Sequence, residues 1–340
     1  MVVSSFWRWE NCQGSSALAR VVNFIVSCTN RKRFEVTPET SIRKVGGDNL
    51  AARLKLWTRN LRATSSEEHR ADDVYMGDHW SVVRTIPSEA RASGLSVQVW
   101  ICSAGYGLIR PETPIKAYRA TFTRGEEDYI ASGLAEDEHT LHRWWDGVCS
   151  YRFATPTAFP RTVSGIAAAF PRTPIVVALS ADYLKAVADD LAEVMARPYF
   201  RDHLSVVSCG SPQPHPIWKH HLLPCNASLA GALGGALTSL NARVARRLFQ
   251  WLENKELTVE SLTKLAESIH RTAGGITPTR TSQCDSEVAH FIRTHLAKVP
   301  STSKTRLLQE FRRNGRACEQ QRFGAIYTRV RNEAASGMNA

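Results

Sequence analysis

Residues Val97 to Phe122 read VQVWICSAGYGLIRPETPIKAYRATF. The first six, Val97 to Cys102, form an apolar run of strand composition. The run breaks at Ser103-Ala104-Gly105-Tyr106-Gly107-Leu108-Ile109, and a Pro-rich loop then leads to Tyr118 and Thr121-Phe122. A buried strand that ends in small residues leaves backbone N–H groups and short hydroxyls at the C-terminal edge of its sheet, where open α/β sheets place their ligands. One other segment shares this design. Val21-Val22-Asn23-Phe24-Ile25-Val26-Ser27-Cys28 reads as a central strand buried on both faces, and Thr29-Asn30-Arg31-Lys32-Arg33 follows at once. Two such strand tips facing each other would make one pocket, and the functional reading rests on that pairing.

Working outward, Ile175 to Leu179 is a third apolar run, Asp182 to Met195 has helical spacing, and Leu204 to Ser208 is a fourth run stopped by Cys209-Gly210. Strand, helix, strand is the pattern of a parallel sheet. The expectation is an α/β fold: an open, mostly parallel sheet with flanking helices over residues 1–225. Asp48 is placed as the cap of a helix from Asn49 to about Arg62. Glu126 to Trp145 is expected to be helical, and 149–173 a long connection. From Leu229 on, the spacing is helical: Leu229–Glu253, Val259–His270, Asp285–Lys298 and Ser303–Arg331, the last broken at Asn314-Gly315. Residues 226–340 are therefore expected to form an α-helical region with a helix-turn-helix-like end.

The chain has 340 residues, a net charge of +11 and a pI near 9.5. Between Ser301 and Arg331, Lys304, Arg306, Arg312, Arg313, Arg316, Arg322, Arg329 and Arg331 are opposed only by Glu310 and Glu319. Such an excess suits a polyanion, with nucleic acid the first candidate; a solvated basic face is the plainer account. No apolar run approaches the ~20 residues of a membrane helix. The start, MVVSSFWRWENCQGSS, lacks the basic-then-apolar design of a signal peptide, so a cytoplasmic location with no membrane partner is expected. Eight cysteines with no C-x-x-C pair point to reduced thiols.

Four clusters carry candidate chemistry. Cys28 ends a central strand four residues before Lys32, with Arg31 and Arg33 alongside. A positive field favours the thiolate, and a thiolate or a neutral amine attacks a carbon electrophile; a buried Cys beside a surface basic turn is the plainer account. In the second cluster, Ser103 supplies a hydroxyl, Gly105 and Gly107 permit close backbone approach, and Tyr106 offers a ring to stack on a planar ligand. The same residues also suit a tight turn with Tyr106 packed inside. Neither the phosphate-binding loop nor the dinucleotide fingerprint is present. Third, Cys209, His215, His220, His221 and Cys225 are zinc-ligand types, but their spacing matches no familiar finger and the segment is Pro-rich, so no metal is assigned. Fourth, Gly234-Gly235 ahead of Thr238, Ser239, Asn241 and Arg243 offers either an anion site at a helix N-terminus or an ordinary cap.

The pairing of I-V-S-C-x-x-x-K (Ile25 to Lys32) with W-I-C-S-A-G-Y-G-L-I (Trp100 to Ile109) and then Y-x-x-T-F (Tyr118 to Phe122) resembles the YaaA-like superfamily. Cys28 to Lys32 also resembles the P-C-x-x-x-K-P-Y motif of archaeosine synthase, with Ser27 in place of the first Pro and Arg33-Phe34 in place of Pro-Tyr. In that enzyme the Lys attacks the nitrile of 7-cyano-7-deazaguanine held in tRNA. Size, charge and motif together are most similar to the DpdC-type proteins of bacterial 7-deazaguanine DNA-modification clusters. The resemblance covers roughly residues 20–130.

What this resemblance implies is an enzyme that hydrates 7-cyano-7-deazaguanine in DNA to the 7-amido form. Cys28, Lys32 and Ser103 would be catalytic. Ser27, Asn30, Gly105, Tyr106, Gly107, Tyr118 and Thr121 would bind the base, and Lys304, Arg306, Arg312, Arg313, Arg316 and Arg322 the DNA. No cofactor is called for. The partners would be DNA carrying the modified base and the transglycosylase that inserts it. Two rivals stand beside it: a DNA-binding accessory protein without chemistry, and a base or nucleoside hydrolase using a carboxylate, with Glu126, Glu127 and Asp128 nearest.

Overall fold

A computed structural model describes residues 20–151, 159–209, 216–272 and 281–336. The chain divides into two compact units, Met1–Gly275 and Ile276–Ala340. The first is built on a five-stranded sheet. Its strands are β1 (Arg20–Ser27), β2 (Leu95–Ser103), β3 (Gly107–Ile109), β4 (Ile175–Ala178) and β5 (Leu204–Val207), in the order β3-β2-β1-β4-β5. All neighbours are parallel except β3, which turns back antiparallel on β2. The expected α/β class with a mostly parallel sheet is what the chain adopts.

β1 is the pivot. Phe24, Ile25 and Val26 are wholly buried, as a strand covered on both faces requires. Its buried polar residue, Asn23, accepts a hydrogen bond from the Trp100 indole at 2.8 Å. In register Ser27 pairs with Cys102, so the tips of β1 and β2 lie side by side. The sheet order reverses at β1, with β2 on one side and β4 on the other. That reversal makes its C-terminal end a switch point, where the crevice of an open α/β sheet forms.

Local boundaries differ from expectation where a side chain competes for the backbone. Asn49, not Asp48, caps the Leu50–Ala63 helix, its side chain accepting from the Ala52 N–H. The expected helix over Glu126–Trp145 is confined to Thr140–Cys149, and the residues ahead of it run in turns. Asp182–Met195 is two helices, Ala181–Ala186 and Ala188–Met195, parted at Val187. The second presents Asp190, which accepts from the Val163 and Ser164 N–H groups at 2.8 and 3.0 Å and from the Trp145 indole. That carboxylate anchors the helix Val163–Ala169 inside the expected loop.

The compact unit also extends beyond residue 225. Leu240, Val244 and Leu248 of the Leu240–Trp251 helix share one core with the sheet, and Phe249 meets Phe24 edge-on at 5.4 Å between ring centroids. An all-apolar strand such as β1 needs cover on both faces, and these helices supply it. The expected division at 225 therefore gives way to one at 275/276.

The second unit has its own core. Phe291 and Ile292 from Asp285–Lys298, Leu307 and Phe311 from Lys304–Arg313, and Phe323, Ile326 and Val330 from Gln320–Ser336 pack together. Gly315, with φ near +69°, turns the chain between the last two helices. Among the described residues no helix is long and apolar enough to cross a membrane.

Candidate active site

The tip of β1 delivers Cys28, whose N–H donates to the Cys102 carbonyl at 3.0 Å. Beyond it, Arg33 donates to the Val74 carbonyl and Met76 to that of Arg31, so residues 31–33 pair antiparallel with 74–76 and Lys32 lies opposite Tyr75. Lys32 therefore has a fixed address. Its Nζ donates to the Thr29 carbonyl and sits 4.4 Å from the Tyr118 ring centroid and 5.0 Å from that of Tyr75.

The Tyr118 hydroxyl links this group to β2. It lies 2.6 Å from Ser103 Oγ and 3.0 Å from the Tyr75 hydroxyl. Cys28 Sγ lies 3.3 Å from the Tyr183 hydroxyl and also meets that of Tyr118. Tyr183 in turn bonds Thr121. Cys28, Lys32 and Ser103 thus surround one cluster of tyrosine hydroxyls, as the pairing of the two strand tips required.

Burial dominates the electrostatics. It lowers the Lys32 ammonium from 10.5 to about 8, with Arg119 adding to the fall and Cys28 and Asp128 opposing it. It also holds the Tyr75, Tyr118 and Tyr183 hydroxyls well above their ordinary value, and negative charge at Cys28 adds to this. These phenols stay protonated at neutral pH and can donate. His79 donates through Nε2 to the Ser27 carbonyl at 3.1 Å; burial lowers its pKa to about 4, so it is a neutral brace at the end of β1.

Lys32 opens into a cleft of about 650 Å³ lined also by Asn30, Arg31, Phe34, Arg119 and Glu126. Glu127 and Asp128 line it too, but Arg43 engages both, Asp128 through two bonds of 2.8 and 3.0 Å. Of the residues expected to bind a base, Asn30 lines this cleft; Ser27, whose carbonyl His79 holds, Thr121, which Tyr183 bonds, and the buried Tyr118 are not among its lining residues.

Gly105, Tyr106 and Gly107, expected to bind the base, are instead buried in a turn. Tyr106 is 2% exposed, and its hydroxyl meets the Lys116 backbone N–H at 3.1 Å. A Cβ on Gly105 would come within 2.5 Å of the Tyr118 ring, and one on Gly107 within 2.8 Å of the Cys149 backbone. The Gly105 and Tyr106 N–H groups donate to Ser103 Oγ, so they face inward and not toward a ligand. The Trp57 and Trp144 indoles clamp the Gly105 and Ala104 carbonyls at 2.9 and 2.7 Å. This turn is a rigid support that fixes Tyr118 and Ser103. Tyr75, Tyr183 and Arg119 escaped sequence reasoning because no spacing ties them to Cys28; only the fold brings them there.

The remaining clusters resolve as structure. Cys209 and Cys225 hydrogen-bond each other, His221 donates to the Leu204 carbonyl at 2.9 Å, His220 is exposed, and His215 lies outside the described residues. Among the described residues no three His, Cys, Asp or Glu converge as a metal site. The candidate anion site after Gly234-Gly235 is filled by the chain's own Asp78. Its carboxylate accepts from the Ala236 N–H, from Ser239 Oγ and from Arg243.

Several of the basic residues assigned to DNA are used inside the second unit. Arg312 donates to the Cys318 carbonyl, Arg316 lies over the Phe291 and Phe311 rings, and Arg322 pairs with Asp285. Lys304 and Arg306 are exposed, and the Arg313 side chain lies outside the described residues. Compared with family models, with curated proteins and with solved structures, the chain matches none.

Proposed function

We propose that the chain hydrates the nitrile of 7-cyano-7-deazaguanine carried in DNA, giving the 7-amido base. The observation that carries this reading is a lysine held at about pKa 8, beside a thiol, at the switch point of the sheet and facing a cleft. The Lys32 amine adds to the nitrile carbon and forms an amidine, and the nitrile nitrogen gains a proton. Water then adds to the amidine carbon, the bond to Lys32 Nζ breaks, and the amide leaves with the amine restored. Cys28 could take the same two steps through a thioimidate. The Tyr118 hydroxyl, a buried donor beside both groups, supplies the proton and holds developing charge on the nitrogen. The Gly105 and Tyr106 N–H groups cannot share this role, since both are spent on Ser103. A base inside a duplex must leave its stack to be reached, and the basic second unit would hold the DNA.

The test is incubation with duplex DNA carrying the cyano base, digestion and mass analysis of the nucleosides. A gain of one water is expected, with a rate that rises as pH climbs through about 8 when Lys32 is the nucleophile. Lys32→Ala should abolish the gain, and Cys28→Ser separates the two nucleophiles. No gain with folded protein removes the proposal. Release of free base instead would favour the hydrolase reading, to which the carboxylates lining the cleft lend some support.

A further inference from the structure

The second unit holds eleven of the chain's Lys and Arg residues against five Asp and Glu, so it carries more than half of the net positive charge. Its three helices share one small core, and the last two are joined by residues 314–319, which turn at Gly315 and pair Arg316–Ala317 with Thr281–Ser282. In three-helix DNA-binding units of this type, the last helix enters the major groove while the helix before it meets the backbone.

The final helix, Gln320–Ser336, has the corresponding division of faces. Phe323, Ile326, Tyr327 and Val330 are buried. Ala325, Thr328, Arg329 and Asn332 are exposed and fall on one stripe at helical spacing. These side chains suit base edges: Arg for guanine, Asn for adenine, Thr for either, and Ala for the thymine methyl. The acid on the exposed side near the far end, Glu333, is met by Arg293 at 3.0 Å and, more loosely, by Arg329 at 3.9 Å, a surface pair that a base edge would have to displace.

The cations stand beside this stripe. Lys304 opens the preceding helix, and its Nζ would lie 3.4 Å from a Cβ on Gly324, so it flanks the start of the stripe. Ser303, Thr305, Arg306 and Gln309 line a shallow depression at the same helix start; Glu310, which also lines it, is engaged by His295. Hydroxyls, amides and a guanidinium at a helix N-terminus are the groups that bind backbone phosphates.

We propose that the exposed stripe Ala325–Thr328–Arg329–Asn332 reads base edges in the major groove of duplex DNA, with Lys304 and Arg306 on the flanking phosphates. The second unit then gives the protein sequence preference as well as affinity. This inference uses nothing from the Lys32 cleft, so it stands or falls apart from the nitrile reaction.

The experiment uses the full chain and a pool of unmodified duplexes with a randomised central segment. Bound duplexes are separated at near-physiological salt and sequenced. Enrichment of a short motif is expected. Arg329→Ala with Thr328→Ala should cost the preferred duplex roughly ten-fold or more while leaving unrelated duplexes nearly unchanged. Lys304→Gln should weaken all duplexes alike and reduce the slope of log affinity against log salt by about 1. These side chains are exposed, so helix content by circular dichroism should match the parent. No enrichment, enrichment unaltered by the double variant, or equal binding of the single strands overturns the proposal.

Discussion

Lys32 sits where the fold makes a charge costly. Its amine titrates near 10.5 in the unfolded chain and at about 8 in the folded one, chiefly because it is buried. Between those values the unfolded state holds more protons, so this residue makes stability rise with pH across that window. Its cost stands in full below about pH 8 and is gone above 10.5. Lys32→Met should therefore stabilise the protein at pH 7 by roughly 1–3 kcal/mol, after allowing for lost contacts with the tyrosine rings. Urea unfolding at pH 7 and pH 10 checks this: the advantage should be present at the first and nearly absent at the second. A variant less stable than the parent at pH 7 would mean that burial is not what holds the amine down. A site that destabilises its own fold is what a reactive amine requires, since the neutral form is the nucleophile.

The strand tip and its supporting turn behave as one element. Gly105 lies flat against Tyr118, and the Trp57 and Trp144 indoles hold the turn from outside. Gly105→Ala should push the Tyr118 ring away from Ser103 and cost about 1–3 kcal/mol of stability. Gly46→Ala, where a Cβ meets nothing within 4 Å, is the control and should stay near neutral. The start of the helix Asp78–Arg91 gives a second case. Its Asp78 carboxylate gathers Ser239, the Ala236 N–H and Arg243, and these hold its pKa below the usual value. A lowered carboxyl pKa adds stability that is present at neutral pH and lost as pH falls through the folded value. The carboxylate is 41% exposed, so water screens these partners, and Asp78→Asn should cost less than about 1 kcal/mol at pH 7, with the gap to the parent closing below about pH 4. Thermal melts of both proteins across that range would show it.

Two compact units with separate cores give the whole molecule more than one cooperative block. Calorimetry should resolve two transitions, the lesser from the second unit, whose core is small and supplies little stability by itself. A chain ending at Gly275 should keep the larger transition and lose most of the proposed DNA affinity, because more than half of the net positive charge leaves with the second unit. A single transition in the full chain would mean that the two cores melt as one.

Apolar runs are local, and so the sequence alone established four of the five sheet strands and their parallel arrangement, and pointed to the neighbouring tips of β1 and β2; the antiparallel β3, which follows the glycine turn, was not legible in it. Residues four apart, such as Cys28 and Lys32, also announce themselves. What the tertiary structure decided lies between distant segments. It placed Tyr75, Tyr118 and Tyr183 around Cys28, turned the Gly105 and Tyr106 N–H groups inward, and filled the Gly234-Gly235 site with Asp78. It also withdrew Arg312, Arg316 and Arg322 into the second unit. The physical reason is that a donor or a charge takes whatever partner the packed chain brings within reach, and that partner is set by the meeting of segments far apart in sequence.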